Sequence, residues 1–200
     1  MATRHTNPRD KAAVVKWAQD LLQLSNFYVL DTETTGVSKQ DQICQIGIID
    51  KNGDVVLDTL VKPTVRISSG ASAVNGISDK MVKDAPTLMD VYTDISSMLA
   101  GSTLIAYNMD FDWRMLKQSV GVYKMPMFRV TKKECAMKQY AKYRGVLNSK
   151  RRGYRWHKLT DAADYEKLLV ANAHTALGDV IMTLELIKKM AGIESDSPTT

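Results

Sequence analysis

Apolar and polar positions alternate in blocks whose periods change along the chain. Val14, Trp17, Ala18, Leu21 and Leu22 recur at helical spacing, which predicts an amphipathic helix over Lys11–Leu24. Ser25-Asn26 ends it. Phe27-Tyr28-Val29-Leu30 is a short continuous apolar run, the pattern of a strand covered on both faces. Ile43–Ile49 reads as a second strand and Val55–Val61 as a third, stopped by Lys62-Pro63. Asn52-Gly53 between them is a strong hairpin signal, so the sheet begins with an antiparallel pair.

Beyond the hairpin, Val65–Ile77 is rich in Ser, Gly and Ala and reads as a loop. Ser78 is placed to cap a short helix over Asp79–Lys83, and Pro86-Thr87 precedes a longer one over Leu88–Leu99. Thr103–Tyr107 is another buried strand, followed by a helix over Phe111–Val120. Arg129–Thr131 fits a short edge strand, Glu134–Leu147 a helix, and Lys158–Ala163 a short helix. Thr175–Met190 forms a closing helix with Val180, Leu184, Ile187 and Ala191 on one face. Strands first, then alternating helices and strands, indicate an α/β fold: a three-layer sandwich around a mixed sheet of about five strands.

Composition adds little until charge is located. With 200 residues, 44% hydrophobic and 24% charged, the chain suits one globular domain. No apolar run approaches the roughly 20 residues that span a bilayer, and the polar N-terminus does not read as a secretory leader. Cys44 and Cys135 make no disulfide framework and lack zinc-ligand spacing; they read as reduced thiols of a cytoplasmic protein. The net charge of +5 is unevenly spread. Arg129–Lys158 holds eleven Lys or Arg and one acid, Glu134, so that segment carries +10 and the rest of the chain −5. A local basic stretch points to a polyanionic partner.

Three short segments carry the candidate chemistry: Asp31-Thr32-Glu33-Thr34-Thr35-Gly36, Asn108-Met109-Asp110-Phe111-Asp112, and His174 with Asp179. Residues two apart on a strand share a face, so Asp31 and Glu33 project together from the first strand's end. Two adjacent carboxylates repel unless cations lie between them, and Mg²⁺ or Mn²⁺ would meet that need. The alternative is a solvated strand end. Asp110 and Asp112 follow another buried strand, and one of them could simply cap the next helix. They can meet Asp31 and Glu33 only if the two strands lie side by side. His174 and Asp179 are about 140° apart around a helix, so they cannot share one face. A histidine in the loop before the helix suits a general base; a surface histidine is the plainer reading.

Taken jointly, Asp31–Gly36, Asn108–Asp112 and His174-x-Ala176-x-x-Asp179 resemble, in order, the three motifs of the DEDDh (DnaQ-like) 3′→5′ exonucleases, which have a ribonuclease H-like fold. The resemblance spans about Phe27–Met190. It implies that Asp31, Glu33, Asp112 rather than Asp110, and Asp179 bind two divalent ions, with His174 as general base. It places Thr34, Thr35, Gly36, Ile77 and Asn108 around the substrate's 3′-terminal nucleotide. Where family members often carry His-Gly-Ile, this chain has Asn75-Gly76-Ile77. Residues 1–26 then form a helical extension outside the shared core, 27–193 the exonuclease domain, and 194–200 a disordered polar tail.

Lys150–Lys158 mixes cations with aromatics, a combination that suits a single nucleic-acid strand. Arg151, Arg152, Tyr154 and Trp156 are its candidate contacts, with Lys138, Lys142 and Arg144 continuing the stripe; a solvated face with Trp156 in the core is the alternative. The expected function is metal-dependent 3′→5′ hydrolysis of single-stranded DNA or 3′ overhangs. An exoribonuclease, a proofreading or trimming subunit of a larger complex, a homodimer, or a binding module that kept the fold without catalysis are the competing readings.

Overall fold

The computed structural model describes residues 7–149, 152–168 and 175–193. Its centre is a five-stranded sheet in the order β3-β2-β1-β4-β5. The strands are β1 (Phe27–Thr34), β2 (Ile43–Asp50), β3 (Val55–Leu60), β4 (Thr103–Ala106) and β5 (Lys132–Cys135). β1 pairs antiparallel with β2 and parallel with β4, so the sheet is mixed. That pairing supplies the adjacency on which a meeting of the two acidic segments depends. β4 is buried at all four positions, as its unbroken apolar run requires.

Seven helices complete the described chain: α1 (Pro8–Leu22), α2 (Ser69–Asn75), α3 (Leu88–Leu99), α4 (Met109–Val122), α5 (Ala136–Arg144), α6 (Leu159–Glu166) and α7 (Ala176–Ala191). α7 lies against β1 and β2, while α1 packs on α5 and α7. Val14, Ala18 and Leu21 of α1 are buried in the same core as Phe27, Ile105 and Ile187. The N-terminal helix is thus a full part of the core.

Local expectations fail in three places. Val65–Ile77 contains α2, a helix with no buried residue and therefore no apolar stripe to announce it. Ser68 caps its start and Gly76, in the left-handed region at φ 71°, ends it. The expected helix at Asp79–Lys83 is a run of turns. The edge strand is Lys132–Cys135 rather than Arg129–Thr131, because its outward positions are charged and only Cys135 is buried. The polar tail 194–200 lies outside the described residues.

Candidate active site

Strand alternation turns Asp31 and Glu33 to the α7 side of β1. Across the β1–β2 ladder Asp31 faces Gly47 and Glu33 faces Gln45. A Cβ on Gly47 would sit 2.8 Å from the carbonyl carbon of Ala176 and 3.0 Å from its oxygen, so only glycine lets the α7 N-terminus rest on the sheet here. The Gln45 side-chain oxygen accepts from the Ala176 amide at 3.4 Å, and the Gln45 amide donates to Asp58 at 3.0 Å. The Thr175 hydroxyl caps the helix by accepting from the Gly178 amide at 3.0 Å. Asp179 follows in the first turn, and carboxylate oxygens of Asp31, Glu33 and Asp179 all lie within 4.8 Å of one another.

Asp112 enters from the first turn of α4 and is 3% exposed. Its Oδ1 accepts from the Thr32 hydroxyl at 2.9 Å, across 80 residues of sequence. Asp110 points to solvent and pairs with Lys138 at 2.6 Å. The two acids have therefore separated: Asp112 is buried near enough for its charge to act on Asp31, although it is not one of the three carboxylates within 4.8 Å, and Asp110 belongs to the surface. Asn108 is the residue before α4; its carbonyl receives the Phe111 and Asp112 amides.

The cluster is electrostatically unfavourable without cations. Burial raises the Asp31 carboxyl well above its ordinary range, and the charges of Asp112, Asp179 and Glu33 raise it further. Burial, then the Asp179 charge, pushes Glu33 to about 7, against a smaller lowering by an Asn75 hydrogen bond. Burial likewise raises Asp112, with the Thr32 hydrogen bond opposing. Converging carboxylates that resist ionisation are a donor set fitted to hard divalent cations.

A cavity of about 400 Å³ opens beside Glu33, lined by Thr32, Thr34, Gly36, Ala71, Asn75 and Phe111 among others. Thr34 and Gly36 thus line the cavity beside Glu33. Thr35 does not: it is fully buried, and its hydroxyl donates to Asp41 at 2.8 Å. Gly36 has a packing reason of its own, since a Cβ there would meet the Asp41 carboxylate at 2.6 Å. Ile77, expected beside the terminal base, is 3% exposed and packs with Cys44 and Val82. Its apolar side chain turned inward, and Asn75 lines the cavity instead, donating to the Thr34 carbonyl at 3.2 Å.

The basic segment is a hairpin closed by the Leu147–Tyr154 bridge and by Arg155 N–H to Val146 O at 2.7 Å. The Tyr107 hydroxyl, just past β4, donates to the His157 carbonyl at 2.8 Å. The hairpin's base is thus tied to the end of β4, which leads into α4 and Asp112. Arg152 is exposed and Trp156 is 46% exposed, so Trp156 is not a core anchor. The Tyr154 hydroxyl donates to Asp10 of α1, a tie that holds the hairpin down. Arg144 leaves the stripe to stack on Tyr165, 3.1 Å from the ring centre. His174, Lys150 and Arg151 lie outside the described residues.

Local reading missed Thr32, Gln45 and Gly47. Only Gly47 carried a signal, as a glycine inside an otherwise apolar strand.

Comparison with known proteins agrees with this geometry. Residues 28–187 match the RNase_T family model, described as an exonuclease. The chain is 38% identical to the uncharacterized exonuclease CP81 of Escherichia phage 186, over 93% of this chain and 96% of that one. It is 30% identical to the DNA polymerase III subunit epsilon of Treponema pallidum, over 82% of this chain and 75% of that one. Among solved structures, exonuclease X in complex with 5′ overhanging duplex DNA superposes with a TM-score of 0.60 at 25% identity, covering 85% of this chain and 95% of that chain. With the acids, the mixed sheet and the family match in agreement, the chain belongs to the RNase_T exonuclease family and is a DnaQ-like 3′→5′ exonuclease of ribonuclease H-like fold.

Proposed function

We propose that the chain removes nucleotides from the 3′ end of single-stranded DNA or of 3′ overhangs, releasing nucleoside 5′-monophosphates. The observation that carries this reading is the convergence of Asp31, Glu33 and Asp179 within 4.8 Å, with Glu33 at the wall of a cavity of about 400 Å³. DNA is favoured over RNA because the named relatives and neighbour include a DNA polymerase subunit and an exonuclease bound to DNA. Two free buried cysteines suit a cytoplasmic setting.

Asp31, Glu33, Asp112 and Asp179 would hold two Mg²⁺ or Mn²⁺ ions. When bound, such ions supply a water acidic enough to ionise near neutral pH and offset charge on the departing 3′ oxygen. His174, directly before the α7 cap, takes the proton of the attacking water at an imidazole nitrogen. Thr34, Gly36 and Asn75 position the terminal nucleotide, Phe111 offers its base an aromatic wall, and Asn108 faces the sugar. Arg151, Arg152 and Trp156 hold the strand behind it through phosphate charge and stacking.

Matched DNA and RNA strands, labelled at either end, test the reading in Mg²⁺ with wild type, Asp112→Ala and His174→Ala. The expected result is ordered release from the 3′ end of DNA by wild type alone. Full activity in both variants would refute the assigned roles, and release from the 5′ end would refute the polarity.

A further inference from the structure

A second concavity, of about 590 Å³, lies between α4 and α5 across the β5 edge of the sheet. Arg114 and Lys117 line it from α4, Lys133 from β5, and Lys138 and Lys142 from α5. The acids there are Asp110 and Glu134. Glu134 is already paired with Lys132 at 2.7 Å. Asp110 and Lys138 form an exposed pair, which is worth little and exchanges readily for another anion. No salt bridge among the described residues occupies Lys117, Lys133 or Lys142. Trp113 forms part of the wall, with the Lys133 ammonium 4.2 Å from its ring centre.

The groove adjoins the terminal-nucleotide cavity. Phe111 lines one and Asp110 the other, so α4 is the wall between them. Arg114 spans the divide: its guanidinium lies over Phe111 at 5.2 Å and donates to the Val37 and Ser38 carbonyls at 3.4 Å. A polyanion seated along Lys117, Lys133 and Lys142 would run beside the acidic site without entering it.

We infer that this groove is a second nucleic-acid site, one that binds the phosphodiester backbone of a strand several nucleotides away from the terminus being cut. This rests on the exonuclease reading for its biological sense, but its binding does not depend on catalysis. Lysine heads on two helices and one strand supply charge without a base-reading surface, so the site favours length over sequence.

The test uses the full chain with Lys117→Ala/Lys142→Ala and Lys117→Glu/Lys142→Glu. Binding of a long fluorescent DNA strand is followed by anisotropy in chelator across a salt series. The alanine pair is expected to reduce the slope of log affinity against log salt by about 1.4, at roughly 0.7 per single-strand phosphate contact. In Mg²⁺ the KM for a long strand rises while kcat and the hydrolysis of a trinucleotide stay at wild-type values; the glutamate pair exaggerates the KM effect. Wild-type affinity and salt slope in both pairs would overturn the proposal. A wild-type protein that hydrolyses no 3′ end, yet loses salt slope on lysine removal, would sink the exonuclease assignment and uphold the groove.

Discussion

Replacing Gly47 by alanine isolates one contact on which the acidic cluster depends. The added methyl would stand 2.8 Å from the Ala176 carbonyl carbon and 3.0 Å from the Leu177 nitrogen. Carbon atoms rest at about 3.5–4.0 Å, so the α7 N-terminus must retreat by about 0.7–1.2 Å. No rotamer change relieves the clash, because the obstacle is backbone. Overpacking of this kind costs about 1–3 kcal/mol, or a melting temperature lower by about 2–12 °C in a chain of this size. The functional cost should exceed that. Asp179 sits in the displaced turn, and a misplacement near 1 Å can remove on the order of a hundredfold in rate. Single-turnover release from a 3′-labelled strand measures the rate, and titration calorimetry with Mn²⁺ measures whether the donor set still closes. Gly121→Ala is the control: its Cβ meets nothing within 4 Å, so rate and metal affinity should hold. A Gly47→Ala protein with a lower melting temperature but wild-type rate and Mn²⁺ affinity would refute the reasoning, for α7 would then owe its placement to other contacts.

Glu33 titrates near 7 against an ordinary 4.5, so its protonated form is favoured in the metal-free fold. That stabilisation is fully present below about 4.5 and lost as pH rises through about 7; in chelator the melting temperature should fall from about pH 5 to about pH 8, and an equal fall in saturating Mn²⁺ would count against a shared cation site. Asp31→Asn removes one of the repelling charges and should raise the metal-free melting temperature while abolishing nucleotide release; a lower melting temperature would contradict the repulsion argument. Thr32→Val strips the buried Asp112 carboxylate of its donor and should cost about 1–3 kcal/mol in urea unfolding, with Thr32→Ser restoring most of it. Asn75→Ala frees the Thr34 carbonyl and the Ile77 amide, so KM should rise more than kcat falls, and an unchanged KM would remove Asn75 from the substrate wall.

Elements with a buried stripe or a continuous apolar run were legible from residue pattern. α3 spans Leu88–Leu99 as read, and β1 and β2 begin where their apolar runs begin. α2 was not legible, because a helix that buries nothing leaves no period. β5 was misplaced because an edge strand of charged residues looks like a loop. The site divides in the same way. Asp31 and Glu33 follow from alternation along one strand. Asp112 against Asp110 required a resemblance, since both acids sit in the same turn. The partners that distinguish them, Thr32 and Lys138, are distant in sequence and adjacent only after folding. Gln45 and Ala176, 131 residues apart, lie beyond any local rule.

The parallel pairing of β1 with β4, and the docking of α7 on β1, also set an order of assembly during synthesis. β1 and the β2–β3 hairpin leave the ribosome early, but Thr103 must emerge before β1 gains its parallel neighbour. Asp179 emerges later still, on the helix that also covers α1. Translation proceeds at about 5–20 residues per second, and domains complete their folding once their long-range partners are available. A nascent chain therefore holds Asp31, Glu33 and then Asp112 before Asp179 arrives to complete the cluster. With the roles proposed above, nucleotide release waits for α7, the last helix of the described chain to be made.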